Sequence, residues 1–259
     1  MISSLISSVL MLAKKPKILL PGILFVIADF IIRYFTEEQA IEVLFKFFEF
    51  STYPVFNLQR MPFQLIASYP GNLTFLGTLL IVNSVLGIML SVSIANFLFE
   101  KKSVLSSIMY SVSNIIKILG FVLFFGLMML FSVIVLWIVS AFAIAAGIIG
   151  MIVLILVILL EGFVLVHFAF VPALLGKGMK IKEALKESWN FTTKQFISVI
   201  LLLIGIMIIN FVLGQVYALI VNSSFGENDL MVLVEMVFSL IILTYSNIVF
   251  PLFYLNKNK

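Results

Sequence analysis

ILGFVLFFGLMMLFSVIVLWIVSAFAIAAGIIGMIVLILVILLEGFVLVHFAFVPALL, residues 118–175, decides the fold class of this chain, with Glu161 as its only charged residue. A helix crosses roughly 30 Å of hydrocarbon with about 20 residues. The run is therefore too long for one span, and the small residues and glycines of residues 140–150 predict a hairpin between two. Transmembrane strands would alternate polar and apolar residues, and this run does not.

The rest of the chain has the same character. It has 259 residues, of which 63% are hydrophobic and 11% charged, and its mean hydropathy is +1.26. A soluble domain is about 25% charged, so we predict a single all-α integral membrane domain over residues 1–259. Six spans are expected, at residues 17–35, 73–99, 116–139, 148–175, 196–221 and 230–255. The absence of cysteine excludes disulfides and thiol chemistry.

The basic residues predict the orientation of these spans. With the N-terminus inside, 13 of the 16 lysines and arginines fall on the cytoplasmic side, and Arg33, Lys46 and Arg60 fall outside. Cytoplasmic loops carry the excess of Lys and Arg. We therefore expect both termini in the cytoplasm and the protein in the cell membrane. The net charge of +4 bears on this orientation, and no nucleic-acid partner is expected.

Three amphipathic stretches precede spans 1, 3 and 5, at about residues 2–15, 101–115 and 181–194. In the third, Ile181, Leu185 and Trp189 lie on one side of a helix and the charged residues on the other, which is typical of a helix in the plane of the membrane. In-plane helix, span, outer loop and span would then occur three times, a threefold repeat of helical hairpins. The alternative is a coincidence of similar amphipathic helices.

The lysines of these helices are candidates for contact with anionic lipid headgroups. They are Lys14, Lys15, Lys101, Lys102, Lys182, Lys186 and Lys194. On the outer side, residues 36–72 predict an amphipathic segment that lies on the surface or caps the bundle. A plain extracellular loop is the alternative for that segment.

Glu161 is the sharpest candidate for an intramembrane polar site, since ionisable groups in hydrocarbon are costly. His167 lies six residues later, about 240° around the helix, so the two side chains do not share a face. Candidate partners on other spans include Asn83, Asn210 and Asn247. Either Glu161 handles a proton or substrate in a cavity, or it is polar glue between helices. One His and one Glu make a poor metal site, and no cofactor is expected.

Glycines in the spans are also expected to permit close helix contacts. They are Gly120, Gly126, Gly147, Gly150, Gly205 and Gly214.

The stretch FVPALLGKGMKIKEALKESWNFTTKQFISVILLLI, residues 170–204, resembles a pattern in the membrane domain fused to some glycerophosphoryl diester phosphodiesterases, and in related free-standing prokaryotic six-helix proteins. Pro172 near the inner end of a span, a short basic turn, and Glu183, Ala184, Leu185 and Ser188 carry the resemblance. Hydrolysis in the fused enzymes belongs to a separate soluble domain, which this chain does not contain. The resemblance implies a membrane-embedded helical domain concerned with lipids or membrane homeostasis, and no catalytic residue can be carried over from it.

Two functions from different classes follow. The first is a non-enzymatic membrane protein that binds or organises lipids, alone, as a homo-oligomer or with a partner membrane protein. The alternative is a transporter of small molecules or lipids with its site near Glu161. An intramembrane enzyme has the least support, because acid–base chemistry needs convergent groups.

Overall fold

The computed structural model describes residues 2–32, 70–224 and 229–258. These residues form helices and short connections, with no strand among them. The elements are α1 (Ile2–Lys14), a 3₁₀ turn (Pro16–Ile18), α2 (19–32), α3 (Pro70–Glu100), α4 (Val104–Ser113), α5 (Ile115–Ala146), α6 (Ile148–His167), α7 (Val171–Gly176), α8 (Ile181–Lys194), α9 (Phe196–Ser224) and α10 (Asp229–Lys257).

Five segments of the described chain are long and apolar enough to cross a membrane. They are Ile81–Glu100, Ile115–Ala143, Ile148–Gly176, Phe196–Ile220 and Val234–Lys257. They correspond to the second to sixth predicted spans. The first predicted span is helical over 19–32, and its last residues lie outside the described ranges. Most of the predicted outer segment also lies outside them, although residues 70–72 already belong to α3.

The hairpin between α5 and α6 is tighter than predicted. Residues 141–146 continue α5, and the chain turns at Gly147, with φ 59° and ψ −129°. This backbone conformation is open to glycine because it lacks a Cβ. One turn later, a Cβ on Gly150 would lie 2.4 Å from Cα of Ala143. The two helices therefore pack backbone against backbone directly after the turn.

The second helices of the three predicted hairpins meet at the centre of the molecule. α3 packs against α7 and α10, and α7 also contacts α10. Val92, Phe170 and Phe253 are buried in one hydrophobic cluster that joins the three helices. A Cβ on Gly176 would lie 2.5 Å from Cβ of Ala95 and 2.7 Å from the Val92 carbonyl oxygen, so the crossing of α3 and α7 requires glycine.

The short amphipathic helices follow a common rule. α4 packs against α3, α8 packs against α6 and α7, and α1 packs against α10. α4 and α8 thus each contact the second span of the preceding hairpin. α1, which no hairpin precedes, contacts the second span of the last hairpin. This is the contact pattern that a threefold repeat of hairpins would produce.

The bounds of these helices also compare with the predicted ones. The predicted helices at 2–15 and 181–194 are observed as Ile2–Lys14 and Ile181–Lys194. The predicted helix at 101–115 is shorter, because Ser103 caps its N-terminus by accepting a hydrogen bond from the Ser106 amide at 3.2 Å. Lys101 and Lys102 therefore belong to the connection between α3 and α4 rather than to the helix.

Candidate functional site

The polar residues proposed as an intramembrane site lie in separate places. Asn83 on α3 donates a hydrogen bond to Asp29 on α2 at 3.0 Å. Asn210 on α9 donates to the Ser246 hydroxyl on α10 at 3.4 Å. Asn247 on α10 accepts a hydrogen bond from Ser91 on α3 and donates to the carbonyl oxygen of Leu243 in its own helix at 2.8 Å. The three asparagines thus join neighbouring helices in pairs, and the structure does not bring them to Glu161.

His167 is packed inside the protein at the end of α6, with an exposed fraction of 0%. Its Nδ1 lies 2.7 Å from the Phe163 carbonyl oxygen, which can only accept, so Nδ1 carries the proton. Its ring packs against the ring of Trp189 of α8 at 4.2 Å between centroids, tilted by 34°, and against that of Phe163 at 4.3 Å, tilted by 50°. The Ser188 hydroxyl donates to the His167 carbonyl oxygen at 2.5 Å. These contacts attach α8 to α6, which is a structural role.

Glu161 lines a cavity of about 590 Å³ between α5 and α6. Hydrophobic side chains such as Phe131 and Leu160 form its walls, and Ser132 is the only other polar residue of the described chain that lines it. Oε1 of Glu161 has no hydrogen-bond partner within the described chain. His167 lies one to two turns further along α6 and does not line this cavity. The expectation that the two side chains occupy different faces is confirmed.

The candidate lipid-contacting lysines fall into two groups. Lys14 at the end of α1, Lys15 directly after it and Lys101 directly after α3 line one groove of about 710 Å³. Lys17, which the candidate set omits, lines the same groove. Lys102 lies beside it and pairs with Glu100 at 4.0 Å.

The second group, Lys182, Lys186 and Lys194, is exposed along α8.

The Tyr110 hydroxyl of α4 donates to the Leu175 carbonyl oxygen of α7 at 3.3 Å, near the start of α8. Burial raises the pKa of Tyr110, and Glu100 adds to the effect.

The local sequence explains why Lys17 joins the groove. Proline lacks an amide hydrogen and restricts the residue before it, so Pro16 ends α1 after Lys14. The chain continues as the 3₁₀ turn Pro16–Ile18 into α2. The turn brings Lys17 back toward the lysines of α1. The run KKPK at residues 14–17 shows in the sequence that three of these lysines lie close together. That Lys101 lies beside them follows only from the tertiary packing of α3.

α1 and α4 turn their small residues inward and their large aliphatic residues outward. Ser4 and Ser8 of α1 are buried, as are Ser107 and Ser111 of α4. The equivalent positions of α8 are Ala184 and Ser188, also buried. Small residues four apart let helices approach closely.

The opposite faces carry large aliphatic side chains. Ile6 is 55% exposed on α1, and Leu105 and Met109 are 70% and 60% exposed on α4. α8 differs, because lysines and glutamates occupy much of its exposed face. α1 and α4 therefore present apolar faces to the surroundings of the bundle, next to the groove that Lys14, Lys15, Lys17 and Lys101 line.

Within the described residues no group of three or more His, Asp or Glu side chains lies close enough to hold a metal ion. The fold and these surfaces define the class of the chain as an all-α, multi-pass membrane protein.

No family model matches the chain, and no curated protein or solved structure matches it either. The resemblance to the membrane domain of glycerophosphoryl diester phosphodiesterases therefore stays a prediction from the residues of 170–204.

Proposed function

We propose that this chain is a non-enzymatic protein of the cell membrane that binds and organises phospholipids at its cytoplasmic side. The observation that carries the proposal is the placement of exposed aliphatic residues on α1 and α4 beside a groove lined by lysines. Aliphatic side chains at the level of the acyl chains and cations at the level of the phosphates suit a helix that lies in the membrane interface. Asn83, Asn210 and Asn247 support it too, since each pairs with a neighbouring helix rather than converging on one site.

The proposed orientation places both termini and all three short helices in the cytoplasmic interface. Its support is the charge asymmetry of the sequence, together with a groove that gathers lysines of α1 and α3 at one end of the bundle. Single cysteines test it, because the chain contains none. An impermeant reagent added to intact cells should label Ile148→Cys, at the α5–α6 turn, and should not label Asn190→Cys on α8. The reverse pattern would refute this orientation.

Native mass spectrometry after extraction in mild detergent tests lipid binding itself. The unchanged protein should retain phospholipid. The double variant Leu105→Ser/Met109→Ser should retain less, because it removes the exposed apolar face of α4. The matched control is Met207→Ser/Leu219→Ser on α9, whose side chains are 70% and 68% exposed. Failure of the unchanged protein to retain any phospholipid would disprove the proposed function.

Transport is the second candidate function, and Glu161 favours it, because its Oε1 lies in an apolar cavity without a hydrogen-bond partner in the described chain. A buried polar group without a hydrogen bond costs free energy, and an ionisable residue retained within a membrane span is therefore a candidate functional residue. Proteoliposomes with a pH-sensitive dye inside report proton flux, and dithionite quenching of a fluorescent phospholipid reports lipid movement. Transport through this site would make one of the two rates exceed that of protein-free liposomes and fall in Glu161→Gln. Rates equal to those of protein-free liposomes would eliminate this candidate.

A further inference from the structure

We propose that the groove lined by Lys14, Lys15, Lys17 and Lys101 binds the headgroup of one anionic phospholipid that carries about two negative charges. This inference rests on the proposed function and assigns the lipid class and its site. The groove lies between the end of α1, the 3₁₀ turn, the end of α3, the start of α4 and the last turns of α10. We refer to it below as the lysine groove.

The charges of the lysine groove are not neutralised from within. No carboxylate lines it, and none of the four lysines forms an ion pair with a carboxylate among the described residues. Like charges around one cavity repel one another, and this repulsion is relieved when an anion occupies the space between them. Four cations exceed what a single negative charge would balance. A headgroup with two phosphates, or with a doubly charged phosphate monoester, fits the groove better.

The backbone at Lys101 points to the same site. Lys101 has φ 52°, the left-handed region, and it directly follows the last residue of α3. Glycine is the usual residue at this position after a helix, because a Cβ costs roughly 1–2 kcal/mol there. The chain instead carries a lysine whose side chain lines the groove. A lysine kept at a strained backbone position, where glycine would fit without strain, indicates that its positive charge has a function.

The walls of the groove identify the anion as a lipid rather than a free phosphate. Met11, Phe97, Leu98, Leu252 and Leu255 line it together with the lysines. A hydrated ion gains nothing from such walls, whereas the glycerol and first methylenes of a phospholipid are buried against them.

A second, apolar cavity of about 200 Å³ lies one turn further along the same helices. Pro21 lines it four residues after Lys17, Ser93 four residues before Phe97, and Ile108 four residues after Val104. Apolar side chains such as Phe25, Met89 and Leu90 form much of the rest of its wall. The two cavities thus follow one another along α2, α3 and α4, in the order that a headgroup and the start of an acyl chain require. We place the upper part of one acyl chain in this cavity.

The test is a titration of the delipidated, full-length protein in mild detergent, with bound lipid counted by native mass spectrometry. The lipids are cardiolipin with two phosphates, phosphatidylglycerol with one, and phosphatidylcholine with no net charge. We expect one cardiolipin to bind in preference to the other two. Each lysine near an anionic headgroup raises the affinity for that lipid about fivefold. The triple variant Lys14→Gln/Lys17→Gln/Lys101→Gln should therefore lose about a hundredfold.

The matched control is Lys182→Gln/Lys186→Gln/Lys194→Gln on α8, which removes the same charge from outside the groove. It should lower the affinity for cardiolipin far less than the groove variant does. If the groove variant does not fold, Lys17→Gln and Lys101→Gln are measured singly, each with a fivefold loss expected. Equal losses in the groove and α8 variants, or equal affinity for cardiolipin and phosphatidylglycerol, would overturn the site or its charge while leaving lipid binding intact. Displacement of cardiolipin by millimolar inorganic phosphate would overturn the assignment to a lipid. Retention of no lipid of any class would refute the proposed function itself.

Discussion

Two regions of the molecule place similar aromatic residues in opposite environments. Phenylalanines are buried at the centre, where α3, α7 and α10 meet, and exposed on the α5–α6 hairpin. Phe170 at the centre has an exposed fraction of 0% and lies against Phe191, Phe250 and Phe253, with ring centroids 4.9–6.0 Å apart. Phe131 on α5 is 69% exposed. Lipid tails are as apolar as these side chains, so the hairpin needs no protein to cover it. Packing therefore fixes one region, and the bilayer is the proposed solvent of the other.

The largest expected difference between the two regions comes from removing one phenylalanine from each. Phe170→Ala leaves a cavity among three aromatic rings and should lower the free energy of unfolding by about 3 kcal/mol. Phe131→Ala removes the same atoms from an exposed position and should change it by less than about 1 kcal/mol. Denaturant unfolding in mild detergent measures both. Equal losses would mean that the hairpin is covered by protein, as in a homo-oligomer.

Glycines give a second matched pair. Gly176→Ala places a methyl group against Ala95 and the Val92 carbonyl, and the overpacking should cost about 1–3 kcal/mol. Gly162 on α6 has nothing within 4 Å of its would-be Cβ, so Gly162→Ala should be neutral or stabilise the helix by up to about 1 kcal/mol. Thermal unfolding of both variants in the same detergent is the measurement. A destabilised Gly162→Ala would contradict the open face of α6.

The same glycines indicate how far the sequence could predict the structure. Hydropathy located the spans and amphipathic periodicity located the short helices, because both depend on residues close together in the chain. Close contact is correctly predicted at Gly120, Gly150 and Gly205, where an added Cβ would lie within 3.3 Å of a neighbouring helix. At Gly126, Gly147 and Gly214 an added Cβ would meet nothing within 4 Å in the described chain, so the prediction is wrong there. The tight crossing at Gly176 was not predicted. Which face of an all-apolar helix meets protein depends on the neighbouring helix, and composition does not encode it.

The candidate sites differ in the same way. The spacing of Glu161 and His167 correctly separated their side chains, since both lie on one helix. The convergence of Lys17 with Lys101 could not be read from the sequence, because it requires α1 and α2 to lie beside the end of α3. The small residues four apart in α1, α4 and α8 carry the signal of this packing.

Substitutions of Glu161 test whether the cavity between α5 and α6 serves a function. If the proposed lipid-binding role is correct, Glu161→Leu removes an unpartnered polar group and should raise the free energy of unfolding by about 1–2 kcal/mol. Glu161→Gln keeps a polar group in the same place and should change it less. Lipid retention should be unchanged in both variants. A stability gain accompanied by loss of flux in proteoliposomes would instead identify Glu161 as part of a transport site.

The smallest effect is expected at the lysine groove, where stability and binding should move in opposite directions. Lys101→Gly relieves the left-handed backbone and should stabilise the protein by about 1 kcal/mol, while lowering cardiolipin affinity about fivefold. Lys102, which is not among the residues with positive φ, provides the control. Lys102→Gly gains no relief of strain and should destabilise the protein slightly, since glycine adds freedom to the unfolded chain. Thermal unfolding and lipid titration of the two variants measure both quantities. A gain in stability without a loss of binding would mean that Lys101 only ends α3 and does not contact the lipid. Lys14, Lys15 and Lys17 would then be the lysines that bind it.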